Sequence, residues 1–145
     1  MIKSILITGG GSGIGAALAT TLAGRDCQVI VSGRRKASLD TVAANSPLIT
    51  ACTADVTDNN DQITMVEALS QLPAPRAVFH GAGYFQLGQL TALSPDDWQR
   101  SFDTNVTARW ALSAKCAEHL AGGRLLFVGS DSGANPRVGA AAYSV

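Results

Sequence analysis

The sequence predicts an α/β fold in which a parallel sheet is covered by helices on both faces. Short apolar runs alternate with segments of helical period along the whole chain, and a glycine cluster separates the first run from the first helical segment. The apolar runs contain too few polar residues to leave one face in water, which is typical of buried parallel strands. A chain of 145 residues is long enough for one domain with its own core, so we expect residues 1–145 to form a single domain.

The predicted elements follow the order βαβαβαβαβ. Apolar runs predict five strands, at residues 3–7, 27–31, 48–52, 77–80 and 124–128. Apolar residues recurring every three or four positions predict the helices, which begin near Ile14, near residue 36, after Asp58 and at Pro95. Asp58 and Ser94 are of the type that caps a helix N-terminus, and proline is favoured at the first helical position. The last helix is long and ends at Gly122, with two apolar rows: Trp98, Phe102, Val106 and Trp110, and Leu112, Cys116 and Leu120.

Composition narrows the range of partners. The formal net charge is zero, without the basic patch that a nucleic-acid or membrane-surface partner requires. Cys27, Cys52 and Cys116 lie far apart inside apolar segments, so we expect reduced core cysteines and no metal site. The N-terminal apolar run is too short for a signal peptide, which favours a cytoplasmic location.

The first strand leads into Thr8-Gly9-Gly10-Gly11-Ser12-Gly13-Ile14-Gly15 and then directly into a helix. Gly9 permits a sharp exit from the strand, and Gly13 lets a pyrophosphate approach the free amides at the helix N-terminus. Gly15 allows the helix to pack closely on the strand. The alternative is a tight turn that binds nothing, but the strand, the loop and the helix occur in the order that a dinucleotide site needs.

The pattern T-G-x-x-x-G-I-G resembles the signature of short-chain dehydrogenases/reductases, and further family motifs follow in order along the whole chain. Asp55-Val56 resembles the family's adenine-binding pair, and His80-Gly81-Ala82-Gly83 stands at the family's Asn-Asn-Ala-Gly. Asn105 resembles the catalytic asparagine of the long helix. Ser130 precedes Tyr143 by the 13 residues that separate the family's serine and tyrosine.

The resemblance implies a Rossmann-like doubly wound sheet with strand order 3-2-1-4-5 and hydride transfer between a nicotinamide and a small alcohol or ketone. Tyr143 would be the general acid/base, Ser130 would orient the carbonyl oxygen, and Asn105 would hold a water of the proton relay and stabilise a bend. The implied cofactor contacts are Gly9, Gly11, Ser12, Gly13, Ile14, Gly15, Asp55, Val56, Gly81, Ala82 and Gly83, to which the residues at the end of the second strand add Arg34 and Arg35.

Two departures from the family pattern bear on function. His80-Gly81 replaces Asn-Asn, and we interpret His80 as a hydrogen-bonded strand residue rather than a ligand or base. The family's Tyr-x-x-x-Lys would place a lysine at position 147, beyond Val145. We therefore expect the C-terminal strands to be missing, the fifth strand to be an exposed apolar edge, and the 145-residue chain alone to lack normal turnover.

The end of the second strand selects the cofactor. NAD enzymes of this fold carry an acidic residue there, which binds the ribose hydroxyls. This chain has Val31-Ser32-Gly33-Arg34-Arg35-Lys36 instead. A guanidinium can pair with a 2′-phosphate, so NADP(H) is favoured over NAD(H), with Arg34 as the first candidate and Arg35 as the second.

Three functions remain open at this point. The leading hypothesis is an NADP(H)-dependent oxidoreductase that forms a homo-oligomer through the helix at residues 95–120. The second is a non-catalytic NADP(H)-binding or regulatory module. The third is an interaction fragment that associates through exposed apolar surface.

Overall fold

The computed structural model describes residues 1–144. Five strands form one parallel sheet in the order β3-β2-β1-β4-β5: β1 Ser4–Thr8, β2 Gln28–Gly33, β3 Ile49–Thr53, β4 Arg76–His80 and β5 Arg124–Phe127. This confirms the predicted fold class and strand order. The central strand β1 is buried along its whole length, because it has a neighbour on each side and helices on each face.

Helices cover both faces of the sheet, as predicted. The helices are α1 Gly13–Ala23, α2 Lys36–Ala43, α3 Asn59–Ser70, α4 Pro95–Phe102 and α5 Ala108–Cys116. Alternate residues of β1 point to opposite faces, so Ile5 and Ile7 pack in the core with α1 and α2, whereas Leu6 packs in the core with α3 and α5.

Both predicted N-caps are confirmed. The Asp58 carboxylate accepts hydrogen bonds from the backbone amides of Asn60 and Asp61, at 2.8 and 3.0 Å. The Ser94 hydroxyl oxygen accepts from the amide of Asp97 at 3.1 Å, and Pro95 begins α4. Each cap satisfies amides that have no carbonyl partner within their own helix.

The long helix is not one regular α-helix, which corrects the prediction. A π-helical segment, Asp103–Thr107, separates α4 from α5, and a 3₁₀ turn, Ala117–His119, follows α5. A π segment accommodates one extra residue in a turn and shifts every later side chain around the axis. Leu112 and Cys116 are buried against the sheet, while Val106 and Trp110 are 54% and 70% exposed.

Strand β5 also differs from the expectation that every strand is buried on both faces. All four of its residues are exposed, including Leu125, Leu126 and Phe127. Among residues 1–144, β4 is its sole strand neighbour, and no residue of β5 belongs to either of the two buried cores. The predicted exposed apolar edge is therefore confirmed.

The three cysteines are free; Cys27 and Cys116 are buried and Cys52 is half-buried. Within residues 1–144 there is no helix long and apolar enough to span a bilayer. The same part of the chain contains no cluster of three or more side chains suited to holding a metal ion.

Candidate functional site

The loop between β1 and α1 depends on glycine at two points of close backbone contact. Gly9 has φ of +69°, and a Cβ there would lie 2.7 Å from the carbonyl group of Gly81. A Cβ at Gly15 would lie 2.5 Å from the Gly9 carbonyl oxygen. Side chains at these positions would push the loop away from β4 and from its own helix. Gly13 differs, because its φ of +53° favours glycine but no atom lies within 4 Å of its Cβ position.

The N-terminus of α1 is open to an anion. Ser12 precedes the helix without capping it, and within residues 1–144 the amides of Ser12, Ile14 and Gly15 have no hydrogen-bond acceptor. Uncapped amides together with the positive end of the helix dipole attract phosphate oxygens. No side chain fills the loop, and Ile14 is directed outward with 67% of its surface exposed. This loop therefore fits a pyrophosphate.

A cleft of about 1130 Å³ runs along the carboxyl ends of the strands from this loop. Twelve of the thirteen residues predicted to contact a cofactor line it: Gly9, Gly11, Ser12, Ile14, Gly15, Arg34, Arg35, Asp55, Val56, Gly81, Ala82 and Gly83. Gly13 is the exception, since it does not line the cleft. The sheet brings these residues together because parallel strands end at one edge, where ligands of open α/β sheets bind.

Arg34 and Asp55 face each other at one end of the cleft. The guanidinium and the carboxylate are 4.0 Å apart, and Arg34 is largely exposed. Burial by itself raises the pKa of Asp55, but hydrogen bonds from Thr57 and the charge of Arg34 outweigh it, so that the pKa is lowered. Asp61, which sequence reasoning missed, accepts a 2.7 Å hydrogen bond from the Asp55 amide and holds this segment to α3.

A second, smaller cavity of about 150 Å³ adjoins the cleft, and Val128 lines both. The three residues predicted to be catalytic, Asn105, Ser130 and Tyr143, all line the smaller cavity. They come from the π segment, from the loop after β5 and from the C-terminal segment. The structure therefore brings together three residues that are up to 38 positions apart in the sequence.

Asn105 ties the π segment to the loop after β4. Its Oδ1 accepts from the Tyr84 amide at 3.0 Å, and its Nδ2 donates to the Tyr84 carbonyl at 2.8 Å. The oxygen and the nitrogen of the side-chain amide thus both form hydrogen bonds with the backbone of one residue, Tyr84. This arrangement suits the predicted stabilisation of a bend, because it holds the irregular turn against a neighbouring loop.

Ser130 and Tyr143 lie on loops. The Ser130 hydroxyl oxygen accepts from the Ser132 amide at 3.1 Å, which leaves its proton available for donation. The Tyr143 ring meets Phe85 edge to face, with ring centroids 4.7 Å apart. A 2.7 Å hydrogen bond from the Gly88 amide to the Gly139 carbonyl joins the two loops behind this contact.

His80 is a buried strand residue with a hydrogen-bond partner, as interpreted from the sequence. Its Nε2 lies 2.9 Å from the Ser113 hydroxyl, and its ring stacks on Phe127 at 4.6 Å. Burial, with a smaller contribution from the charge of Arg109, lowers the pKa of His80 to about 4. His80 is therefore neutral at physiological pH.

Arg109 is a second residue that sequence reasoning missed. It lies in α5 and lines the small cavity. Its Nη1 donates to the Val128 carbonyl at 2.9 Å, and its Nη2 donates to the Ala82 carbonyl at 3.0 Å. The signal that the sequence offered was an arginine four residues after Asn105. It connects the ends of β4 and β5 where the cleft meets the cavity.

Comparison with known proteins gives a consistent picture. The family model described as short chain dehydrogenase matches residues 3–145. The chain is similar to an uncharacterized oxidoreductase of Listeria monocytogenes, with 35% identity over 72% of this chain and 44% of the relative. It is also similar to elsinochrome reductase 1 of Elsinoe fawcettii, with 29% identity over 90% of this chain and 52% of the relative.

Solved structures agree with these relatives. A Serratia marcescens short-chain dehydrogenase/reductase mutant has a TM-score of 0.89 and 28% identity, covering 98% of this chain and 61% of that chain. A Brucella melitensis 3-ketoacyl-(acyl-carrier-protein) reductase complexed with NADH has a TM-score of 0.89 and 26% identity, covering 98% and 62%. The chain spans about half the length of the curated relatives it matches.

Proposed function

The chain belongs to the short-chain dehydrogenase family, and we propose that it supplies the cofactor site and catalytic residues of an NADP(H)-dependent oxidoreductase acting on small alcohols or ketones. One observation carries the proposal: the uncapped N-terminus of α1 opens into a cleft that leads to a cavity containing Asn105, Ser130 and Tyr143. The loop suited to binding an anion and the side chains suited to proton transfer thus adjoin each other at the carboxyl ends of the strands.

Different residues of the cleft would bind different parts of the cofactor. The amides of the Gly9–Gly15 loop would hold the pyrophosphate, and Asp55 with Val56 would contact the adenine. Arg34, assisted by Arg35, would pair with the 2′-phosphate. The exposed guanidinium of Arg34 supports the preference for NADP(H), because its one ionic partner within the described residues is Asp55, at 4.0 Å.

The chemistry is reduction of a carbonyl or the reverse oxidation of an alcohol. A bound nicotinamide would supply or accept a hydride, and side chains of this chain would donate or accept the proton at the substrate oxygen. Tyr143 would donate that proton from its hydroxyl during reduction and accept it during oxidation. Ser130 would orient the oxygen with the hydroxyl proton left free by its own contact to Ser132. Asn105 would keep the π turn in place and hold a water of the proton relay.

The exposed side chains of the segment at residues 95–120 support assembly with a second copy of the chain. Val106 and Trp110 present apolar surface that a homo-oligomer would bury. We also propose that residues 1–145 form one domain and that the protein works in the cytoplasm. The free cysteines support a reducing compartment.

Cofactor choice is tested by titrating the chain with NADPH and with NADH and following the fluorescence of the bound dinucleotide. Wild type should bind NADPH at least about tenfold more tightly, and Arg34→Asp should reverse the order, because a carboxylate repels the 2′-phosphate and accepts from ribose hydroxyls. Arg25→Asp is the matched control. Arg25 is an exposed arginine in the turn between α1 and β2, at the amino ends of the strands and therefore at the opposite end of the sheet from the cleft. Equal affinities in wild type would refute the NADP(H) preference, and no binding of either dinucleotide would refute the function.

A further inference from the structure

The guanidinium of Arg109 has no anionic partner in the described part of the chain. Its two hydrogen-bond acceptors are the carbonyl oxygens of Ala82 and Val128, which carry no net charge. Its Nε is buried and has no acceptor within residues 1–144, and no carboxylate there forms an ion pair with it. Burial lowers the pKa of Arg109, while the nearby Tyr143 raises it. An arginine nevertheless stays protonated at neutral pH.

A half-buried charge without a counter-ion is costly, and proteins generally pair such charges. The charge of Arg109 also reaches its surroundings, since it contributes to the lowered pKa of His80. The other described side chains that line the small cavity carry no negative charge that would balance it. Among residues 1–144, ten line the small cavity; they include no aspartate or glutamate, and Arg109 is the one charged side chain among them. The cavity is therefore an electropositive recess.

We propose that Arg109 makes the small cavity selective for carbonyl compounds that bear a carboxylate, so that the substrates are small oxo acids and the corresponding hydroxy acids. This inference rests on the proposed function, because it names the substrate class of the same site. A cavity of about 150 Å³ is comparable to one that holds a single benzene ring, so it suits a molecule of a few heavy atoms. The substrate carboxylate would supply the missing negative charge, and Ser130 and Tyr143, which line the same cavity, would contact the carbonyl.

The reaction balances for this class. The carbonyl carbon of the oxo acid would accept a hydride from the reduced nicotinamide. The carbonyl oxygen would take one proton from the Tyr143 hydroxyl. The products are a hydroxy acid and the oxidised cofactor, and solvent returns the proton to Tyr143. The carboxylate takes no part in the transfer and serves to bind and orient the substrate.

The test compares pyruvate with pyruvamide, its neutral amide of nearly the same shape. Binding of each probe to the full 145-residue chain is measured by isothermal titration calorimetry, with and without NADP⁺, which cannot donate a hydride. Wild type should bind pyruvate at least about tenfold more tightly than pyruvamide. Arg109→Met should abolish this difference and Arg109→Lys should retain part of it, because lysine keeps the charge but not the planar fork. Arg25→Met changes an exposed residue at the amino ends of the strands, away from the cavity, and this variant should bind both probes as wild type does.

Equal binding of the two probes by wild type, or no binding of either, overturns the inference. So does an Arg109→Met variant that still prefers pyruvate. If Arg109→Met loses its helical circular dichroism, the wild-type comparison and Arg109→Lys still decide. Titration of wild type with NADP⁺ alone tests the proposed function separately. A chain that binds NADP⁺ but does not discriminate between the probes refutes the substrate class and leaves the cofactor site standing.

Discussion

Burial of His80 should make the stability of the fold depend on pH. The side chain is 1% exposed at the end of β4, and burial, followed by the charge of Arg109, lowers its pKa from 6.5 to about 4. The unfolded chain takes up a proton at this residue below about pH 6.5, whereas the folded protein resists protonation until about pH 4. Acid therefore favours the unfolded state, and stability falls as the pH drops through this interval.

The magnitude follows from the two pKa values. Each tenfold difference in proton affinity is worth about 1.4 kcal/mol, so the full loss by pH 4 amounts to about 3 kcal/mol. Between pH 7 and pH 5 the loss from His80 alone should be about 2 kcal/mol. The measurement is urea unfolding at pH 7, 6 and 5, followed by tryptophan fluorescence and by circular dichroism, with the free energy of unfolding extrapolated to water.

Two variants test whether His80 is the source of this pH dependence. His80→Asn keeps a polar side chain next to Ser113 but cannot titrate, so it should lose about 2 kcal/mol less than wild type between pH 7 and pH 5. His119→Gln removes the other histidine of the chain and should keep the wild-type loss. If His80→Asn and wild type lose stability in parallel, burial of a neutral imidazole is not the cause of the pH dependence.

Two further substitutions test the close packing of the loop between β1 and α1 and the cap of a helix. Gly15→Ala places a methyl group 2.5 Å from the Gly9 carbonyl oxygen and should cost about 1–3 kcal/mol of stability and weaken NADPH binding at least about tenfold. In Gly24→Ala the new methyl would meet ordinary contacts of 3.5 Å, so urea unfolding and NADPH titration should give wild-type values, and equal effects of the two variants would contradict the close-packing argument. Asp58→Ala removes the acceptor for two α3 amides and should lower the free energy of unfolding by about 1 kcal/mol. Asp40→Ala breaks only an exposed ion pair and should change it by less than about 0.5 kcal/mol, so urea midpoints that shift equally would argue against the cap.

Local patterns were sufficient to predict the sheet and most of the predicted site residues that line the cleft. Apolar runs and helical periods located every strand and the starts of α1 to α4 to within one or two residues, but they did not predict the separate start of α5. Asp58 and Ser94 cap helices as expected. The family motifs and the basic end of the second strand predicted twelve residues that line one cleft, and the motifs predicted three that line the cavity beside it. These features are encoded by neighbours in the sequence or by motifs whose spacing the fold itself requires.

Other features arise from contacts between distant residues, and no local pattern contains them. Asn105 bonds the backbone of Tyr84, 21 positions away, and lies in a π turn that helical periodicity cannot distinguish from an α-helix. Arg109 reaches Ala82 and Val128 on two different strand ends, 27 and 19 positions away.

The sequence by itself therefore determined the type and order of the elements and the glycine loop, because backbone preference and burial act over a few residues. Only the tertiary structure decided how the catalytic candidates meet and which charge lies beside them. That outcome depends on how the ends of β4 and β5 pack against one helix, and the acceptors it uses are backbone carbonyls, which every residue carries and which no sequence pattern can mark.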